Sequence, residues 1–187
     1  MFGLFLALGA VVLIVMDQFT KWLAKTYLEG NAPFVLIDGV FELNYLENSG
    51  AAFGILSDKR YLLIGITSVA LLALFYVLVT RKLGHSKLVT ISGTLVLAGG
   101  VGNLIDRIFR HKVVDFFYFK AIDFAIFNLA DCFVVVGASL ILFYYLFLYK
   151  EKKDLSHAQT PQGAVKEDTA HGAADTESFA GDGGGEA

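Results

Sequence analysis

Two aspartates, Asp115 and Asp131, stand at the margins of long apolar runs, in the strings Val113-Val114-Asp115-Phe116 and Phe127-Asn128-Leu129-Ala130-Asp131. A carboxylate at the edge of a membrane span is costly unless it is paired, hydrated or used. Hydrolysis of an amide needs a base to activate water and an acid to protonate the leaving nitrogen. Two neighbouring carboxylates that share one proton supply both, because like charges at close range push their pKa values apart. Asp115 and Asp131 are therefore read as a working pair, with Asn103 and Asn128 as candidates to orient them or to hold a scissile carbonyl. No HExxH string, Ser–His pairing or usable Cys–His pair competes with them. The four histidines lack metal-ligand spacing, so no metal and no cofactor are expected.

Further polar residues lie in otherwise apolar surroundings. Asp17 and Lys21 are one helical turn apart, share a face and can pair. Asn103 and Asp106 share a face three residues apart, and Arg107 lies four from Asn103. These read as a satisfied Asp106–Arg107–Asn103 brace turned toward other helices rather than lipid. Gly50 opens a small-residue run, Gly50-Ala51-Ala52-Phe53-Gly54, after Asn48. It suits either close backbone packing or the docking of a substrate chain. Asp123 is read as a solvated acid, and the single cysteine, Cys132, as a packed thiol outside any disulfide.

The elements that must carry these residues follow from the charge spacing. The chain has 187 residues, 56% of them hydrophobic, with 17 Phe and only 2 Pro. That is too apolar for a soluble domain and too long for a single anchor. Uncharged runs occupy 1–16, 61–80, 88–105 and 132–149. A crossing helix needs roughly 20 residues with a lower limit near 17, so the first run spans only if the helix continues through 17–22. It lacks a basic leader and a small-x-small site, so a retained helix is expected rather than a cleaved signal peptide. The second span holds no ionisable residue and reads as scaffold. Between the first two spans, Asp38-Gly39 separates short apolar runs and predicts a hairpin, an amphipathic sheet suited to a membrane surface. The aromatic link 110–126 reads as interfacial. Basic residues flanking the spans number six on each side, which leaves the positive-inside rule undecided. Residues 1–150 carry 12 basic and 10 acidic side chains, whereas 151–187 carry 3 and 8. The stretch 154–187 lacks the apolar surface to offset ordering entropy, and disorder is expected there, leaving 1–153 as the working domain.

Five strings, in order, carry a resemblance: Asp17-Gln18-x-x-Lys21, Asn48-x-Gly50-Ala51-Ala52-Phe53-Gly54, Gly102-Asn103-x-x-Asp106-Arg107, Val113-Val114-Asp115-Phe116 and Phe127-Asn128-x-Ala130-Asp131. Together they resemble the lipoprotein signal peptidase family, the bacterial type II signal peptidases, over about residues 5–149. The resemblance implies an all-α membrane protein: a four-helix bundle with a small extracytoplasmic sheet and an interfacial helix. It implies an intramembrane aspartic endopeptidase that removes the signal peptide from prolipoproteins, cutting just before a diacylglyceryl-modified cysteine. The family's catalytic pair falls on Asp115 and Asp131. Its supporting and substrate-contact positions fall on Asp17, Lys21, Asn48, Gly50, Asn103, Asp106, Arg107, Asn128 and Ala130. It implies cytoplasmic termini and acids near the outer leaflet of a bacterial inner membrane. The expected partners are lipidated prolipoproteins and membrane lipid. No nucleic acid is expected, and a monomer is. The alternative is a small proton-coupled transporter or ion pathway, in which Asp17, Lys21, Asp106 and Arg107 would form a relay. Against it, the chain has no internal repeat and the acids gather toward one side.

Overall fold

The computed structural model describes residues 2–50, 56, 59–82 and 86–149. The tail and most of the small-residue run after Gly50 lie outside these residues. Four helices carry the apolar runs: α1 (Phe2–Leu28), α2 (Arg60–Val79), α3 (Lys87–Phe109) and α4 (Leu129–Phe143), the last continuing as a π-helical turn over Tyr144–Leu148. All four are long and apolar enough to cross a bilayer. The first run does continue past Asp17, so α1 carries Asp17 and Lys21 within the span.

Helix α3 is the hub and packs against α1, α2 and α4. Glycine makes this possible at two positions. A Cβ on Gly99 would collide with the backbone carbonyl of Ala130 on α4, and one on Gly102 would stand 2.5 Å from Asp17 Oδ2 on α1. Small residues let backbones approach where lipid offers no hydrophobic drive. Here they bring three helices carrying polar side chains to one point.

The hairpin forms as expected. Strand β1 (Phe34–Ile37) pairs antiparallel with β2 (Phe41–Asn48), and Gly39 takes the positive φ of +69° that the turn demands. The link after α3, read from its aromatics as interfacial, holds a strand that its residue pattern did not announce. Its Val-Val-Asp-Phe-Phe-Tyr-Phe run is a third strand, β3 (Val113–Phe119), paired with β2 in the order β1-β2-β3. β-Branched and aromatic residues favour a pleated surface. The run lacks visible alternation because both faces at its start are covered. Val114 and Phe116 pack with Ala24 of α1 on one side. Asp115 points the other way, as period two requires, and is 2% exposed. Outside the spans, the helical structure among the described residues is the 3₁₀ turn Lys120–Ile122. Asp123 follows it, exposed as expected, and accepts a hydrogen bond from the Tyr118 hydroxyl.

Candidate active site

Strand β3 delivers Asp115 and the first turn of α4 delivers Asp131 to the wall of one cleft of about 790 Å³. Each carboxylate is held by two donors. Asp115 Oδ1 accepts from Asn128 Nδ2 at 2.6 Å, and Oδ2 from Asn48 Nδ2 at 3.0 Å. Asp131 Oδ1 accepts from Asn103 Nδ2 at 2.7 Å, and Oδ2 from the Asn128 backbone N–H at 3.1 Å. The last contact belongs to a capping box. Asn128 is the N-cap of α4, its Oδ1 accepts from the Asp131 N–H at 3.0 Å, and Asp131 returns the bond. The two acids are also cross-linked, because Asn128 Nδ2 reaches Asn103 Oδ1 at 3.1 Å. Burial pushes the Asp115 carboxyl up to about 6; the Asp131 charge adds to the rise, and the Asn48 and Asn128 donors oppose it.

Behind this pair lies an ion cluster with no access to solvent. The ammonium of Lys21 makes three contacts of 2.9 Å, to Asp17 Oδ2, Asp106 Oδ2 and Asn103 Oδ1. Lys21, Asp17 and Asp106 are each 0% exposed. Asp17 Oδ1 accepts from the backbone N–H of Ala130 at 3.0 Å, which ties α1 to the start of α4. The chosen supporting residues therefore converge, and among the described residues no buried side-chain nitrogen or oxygen lacks a partner.

The expected Asp106–Arg107 brace is not the one that forms. Asp106 pairs with Lys21 and with Arg110, and accepts from Gln18 Nε2 at 3.2 Å. Adjacent residues on a helix point to different faces, whereas residues four apart share one. Arg110, not Arg107, meets that condition. Arg107 instead faces the cleft, donating to the carbonyl of Gly50 at 2.8 Å and to that of Asn103 at 3.4 Å. Gly50 N–H in turn donates to Asn48 Oδ1 at 2.9 Å, which leaves the Asn48 amide free to serve Asp115. Gln18 and Arg110 were missed as site residues, although Gln18 sits inside a quoted string and Arg110 shows the helical spacing. Cys132 is half-buried and lines the cleft rather than packing away from it.

Arg107→Ala is accordingly expected to cut cleavage by about ten- to a hundredfold, the worth of one charged hydrogen bond of about 1.5–3 kcal/mol. Its melting temperature in detergent should stay near that of the parent, because Asp106 keeps both cationic partners. A large drop in melting temperature would restore the brace.

The chain as a whole, in sequence and in fold, is matched by known proteins. A family model described as signal peptidase (SPase) II matches residues 9–147. The chain belongs to the signal peptidase II family. It is 41% identical over 145 residues to the lipoprotein signal peptidase of Symbiobacterium thermophilum, covering 76% of this chain and 94% of that one. It is 43% identical over 137 residues to that of Caldanaerobacter subterraneus subsp. tengcongensis, covering 73% and 91%. A solved structure described as a bacterial membrane enzyme at 2.3 Å resolution superposes with a TM-score of 0.71 and 32% identity, over 86% of this chain and 94% of that one. A second, at 1.9 Å resolution, gives 0.69 and 33%, over 76% and 92%. Signal peptidase II membership and four spans make this an integral membrane peptidase of lipoprotein processing, of the bacterial inner membrane.

Proposed function

We propose that the protein is an aspartic endopeptidase that removes signal peptides from prolipoproteins, with Asp115 and Asp131 as the catalytic pair, cutting before a diacylglyceryl-modified cysteine. The observation that carries this reading is the cross-braced pair of carboxylates on one cleft wall. Asp131, held by two neutral donors, takes a proton from the attacking water. Asp115 retains its proton up to about pH 6 and delivers it to the leaving nitrogen as the tetrahedral intermediate collapses. Arg107 and the Asn128–Asn103 amides fix the geometry.

The remaining parts of the reading are orientation, substrate entry and state of assembly. The termini lie in the cytoplasm, and the sheet lies at the outer leaflet. Strand β1 supports this, since Phe34, Val35, Leu36 and Ile37 are all exposed and apolar, which suits contact with lipid. The enzyme acts as a monomer, and 1–153 is the working unit, in keeping with a family match that ends at 147. The apolar cleft wall, with Phe127, Val134 and Val135, receives the lipidated end of the substrate from the bilayer. The transporter alternative loses ground because the polar residues converge on one cleft instead of lining a crossing.

The test is a gel-shift assay on two precursors of one sequence, with and without the diacylglyceryl group. Burial of acyl methylenes at about 0.8 kcal/mol each concentrates the modified precursor in the bilayer, so its cleavage should exceed that of the unmodified one by about a hundredfold or more. Equal rates would remove lipid-directed selection from the proposal.

A further inference from the structure

We infer that Lys21 is a positioning residue that sets the direction of the site's two bridging amides, turning the N–H groups of Asn103 toward Asp131. The inference rests on the reading of Asp115 and Asp131 as the working pair. It follows from donor and acceptor chemistry. An ammonium has three N–H donors and no lone pair. Lys21 directs them at Asp17, Asp106 and Asn103, each at 2.9 Å, and being 0% exposed it has no solvent to donate to instead.

The atom of Asn103 that faces Lys21 must therefore be its oxygen. Its NH₂ group is left to face Asp131 Oδ1 at 2.7 Å. The second lone pair of Asn103 Oδ1 receives Asn128 Nδ2 at 3.1 Å, which sends the other Asn128 N–H to Asp115 Oδ1 at 2.6 Å. Asn128 Oδ1 is then correctly turned toward the Asp131 backbone N–H. One buried cation thus dictates that both acids meet donors, the state in which a carboxylate is held as an acceptor.

Without the ammonium the polarity is no longer enforced. Asp17 and Asp106 would surround a position that now favours an N–H donor, and Asn103 can supply one by turning over. Its oxygen would then face Asp131, and two acceptors in contact need a proton between them. The working pair would be locked by a proton held at that contact. The other charged groups around the pair are Arg107 on α3 and Glu47 on β2, both lining the cleft, with Lys112 paired to Glu47, and behind them Asp17 on α1 with Asp106 and Arg110 on α3. The thiol of Cys132 adjoins Asp131.

The experiment compares Asp17→Asn/Lys21→Met with Asp17→Asn, in the full chain, in detergent, on a lipidated precursor. The double variant removes one charge of each sign. Relative to Asp17→Asn, kcat should fall about a hundredfold, the worth of reversing one charged hydrogen bond. KM should stay within about twofold, as expected when substrate binding is untouched. The acid limb of the kcat profile should move up by about one pH unit, since a one-unit change answers to about 1.4 kcal/mol. Equal kcat and an unmoved acid limb would overturn the inference and reduce Lys21 to a counter-ion. Asn103→Asp gives a second reading that keeps Lys21 and its contact. Its activity should be displaced to acid pH, where the new carboxyl carries a proton to donate, and a profile superimposed on the parent's would overturn the inference. A readout independent of activity separates it from the dyad reading. The side-chain amide introduced by Asp131→Asn keeps its oxygen on the Asn128 backbone N–H and so turns its NH₂ toward Asn103, a donor-to-donor contact that is relieved once Asn103 is free to turn over. Lys21→Met should therefore lower the melting temperature less in an Asp131→Asn background than alone. Additive losses would overturn the polarity role, whereas cleavage by Asp131→Asn itself would overturn the dyad.

Discussion

Asp115→Asn and Asp131→Asn are each expected to abolish prolipoprotein cleavage while leaving a folded, membrane-inserted protein. Neither amide can serve as a general acid or base in the accessible pH range, so the loss should reach background at every pH tested. Stability should move little in Asp115→Asn, because two effects oppose. The rise from 3.8 to about 6 reflects a charge disfavoured in the fold, so above about pH 6 the ionised Asp115 costs about 3 kcal/mol. That cost disappears as pH falls to the unfolded value of 3.8. Replacement by Asn removes the cost but turns one NH₂ group toward a donor, Asn48 or Asn128, forfeiting a bond worth about 1.5–3 kcal/mol. If Asp115 is the acid, the alkaline limb of the kcat/KM profile is expected at about 6, with cleavage falling as pH rises through that value and the proton leaves. Turnover near the parent's level in either variant would sink the assignment.

Asp106→Ala is expected to fail as a protein before it fails as an enzyme. Asp106 is 0% exposed and accepts from Lys21 Nζ, Arg110, Gln18 and, at 3.4 Å, the backbone N–H of Val114. Removing it leaves Lys21 with one carboxylate and frees three further donors at the junction of α1, α3 and β3. Breaking a buried pair from one side costs about 3–5 kcal/mol, a large share of the roughly 5–15 kcal/mol that holds a typical domain together. Folded yield and detergent melting temperature should both drop sharply, and Asp106→Asn, which keeps one acceptor, should lie between. A melting temperature for Asp106→Ala close to the parent's would show that the cluster is not what holds the three elements together.

How much of this could be read from residue order differs by element. The spans and the hairpin announce themselves, because both rest on local signals: uninterrupted apolar runs, and Asp38-Gly39 between them. Helix α3 encloses the uncharged run 88–105 and extends past it to Phe109. Strand β3 was not legible, because its cover comes from α1 on one side and from the site on the other, and neither is local in sequence. The site residues were legible as types and, for Asp17–Lys21, as a pair. Their partners across helices were not. Asp106 has a basic residue beside it and another four residues on, and only a strict reading of helix faces selects Arg110. Gln18 bridges Asp17 and Asp106 with Nε2 contacts of 3.1 and 3.2 Å, a role that no spacing within one helix reveals.

The Lys21 cluster also bears on how the chain is made. Lys21 emerges from the ribosome 85 residues ahead of Asp106 (106 − 21). At about 5–20 residues per second, that is roughly 4–17 s in which α1 must enter the bilayer without its later partner. An isolated cation or anion within a span is costly, up to about 2.5–3.5 kcal/mol at a helix centre on insertion scales. Asp17, four residues before Lys21, is the one acid within α1, and it lets α1 wait in lipid as a neutral pair. When α3 arrives, Asp106 with its own cation Arg110 enlarges the pair instead of replacing it. The nascent helix is thus chaperoned by its own neighbour until the bundle closes around it.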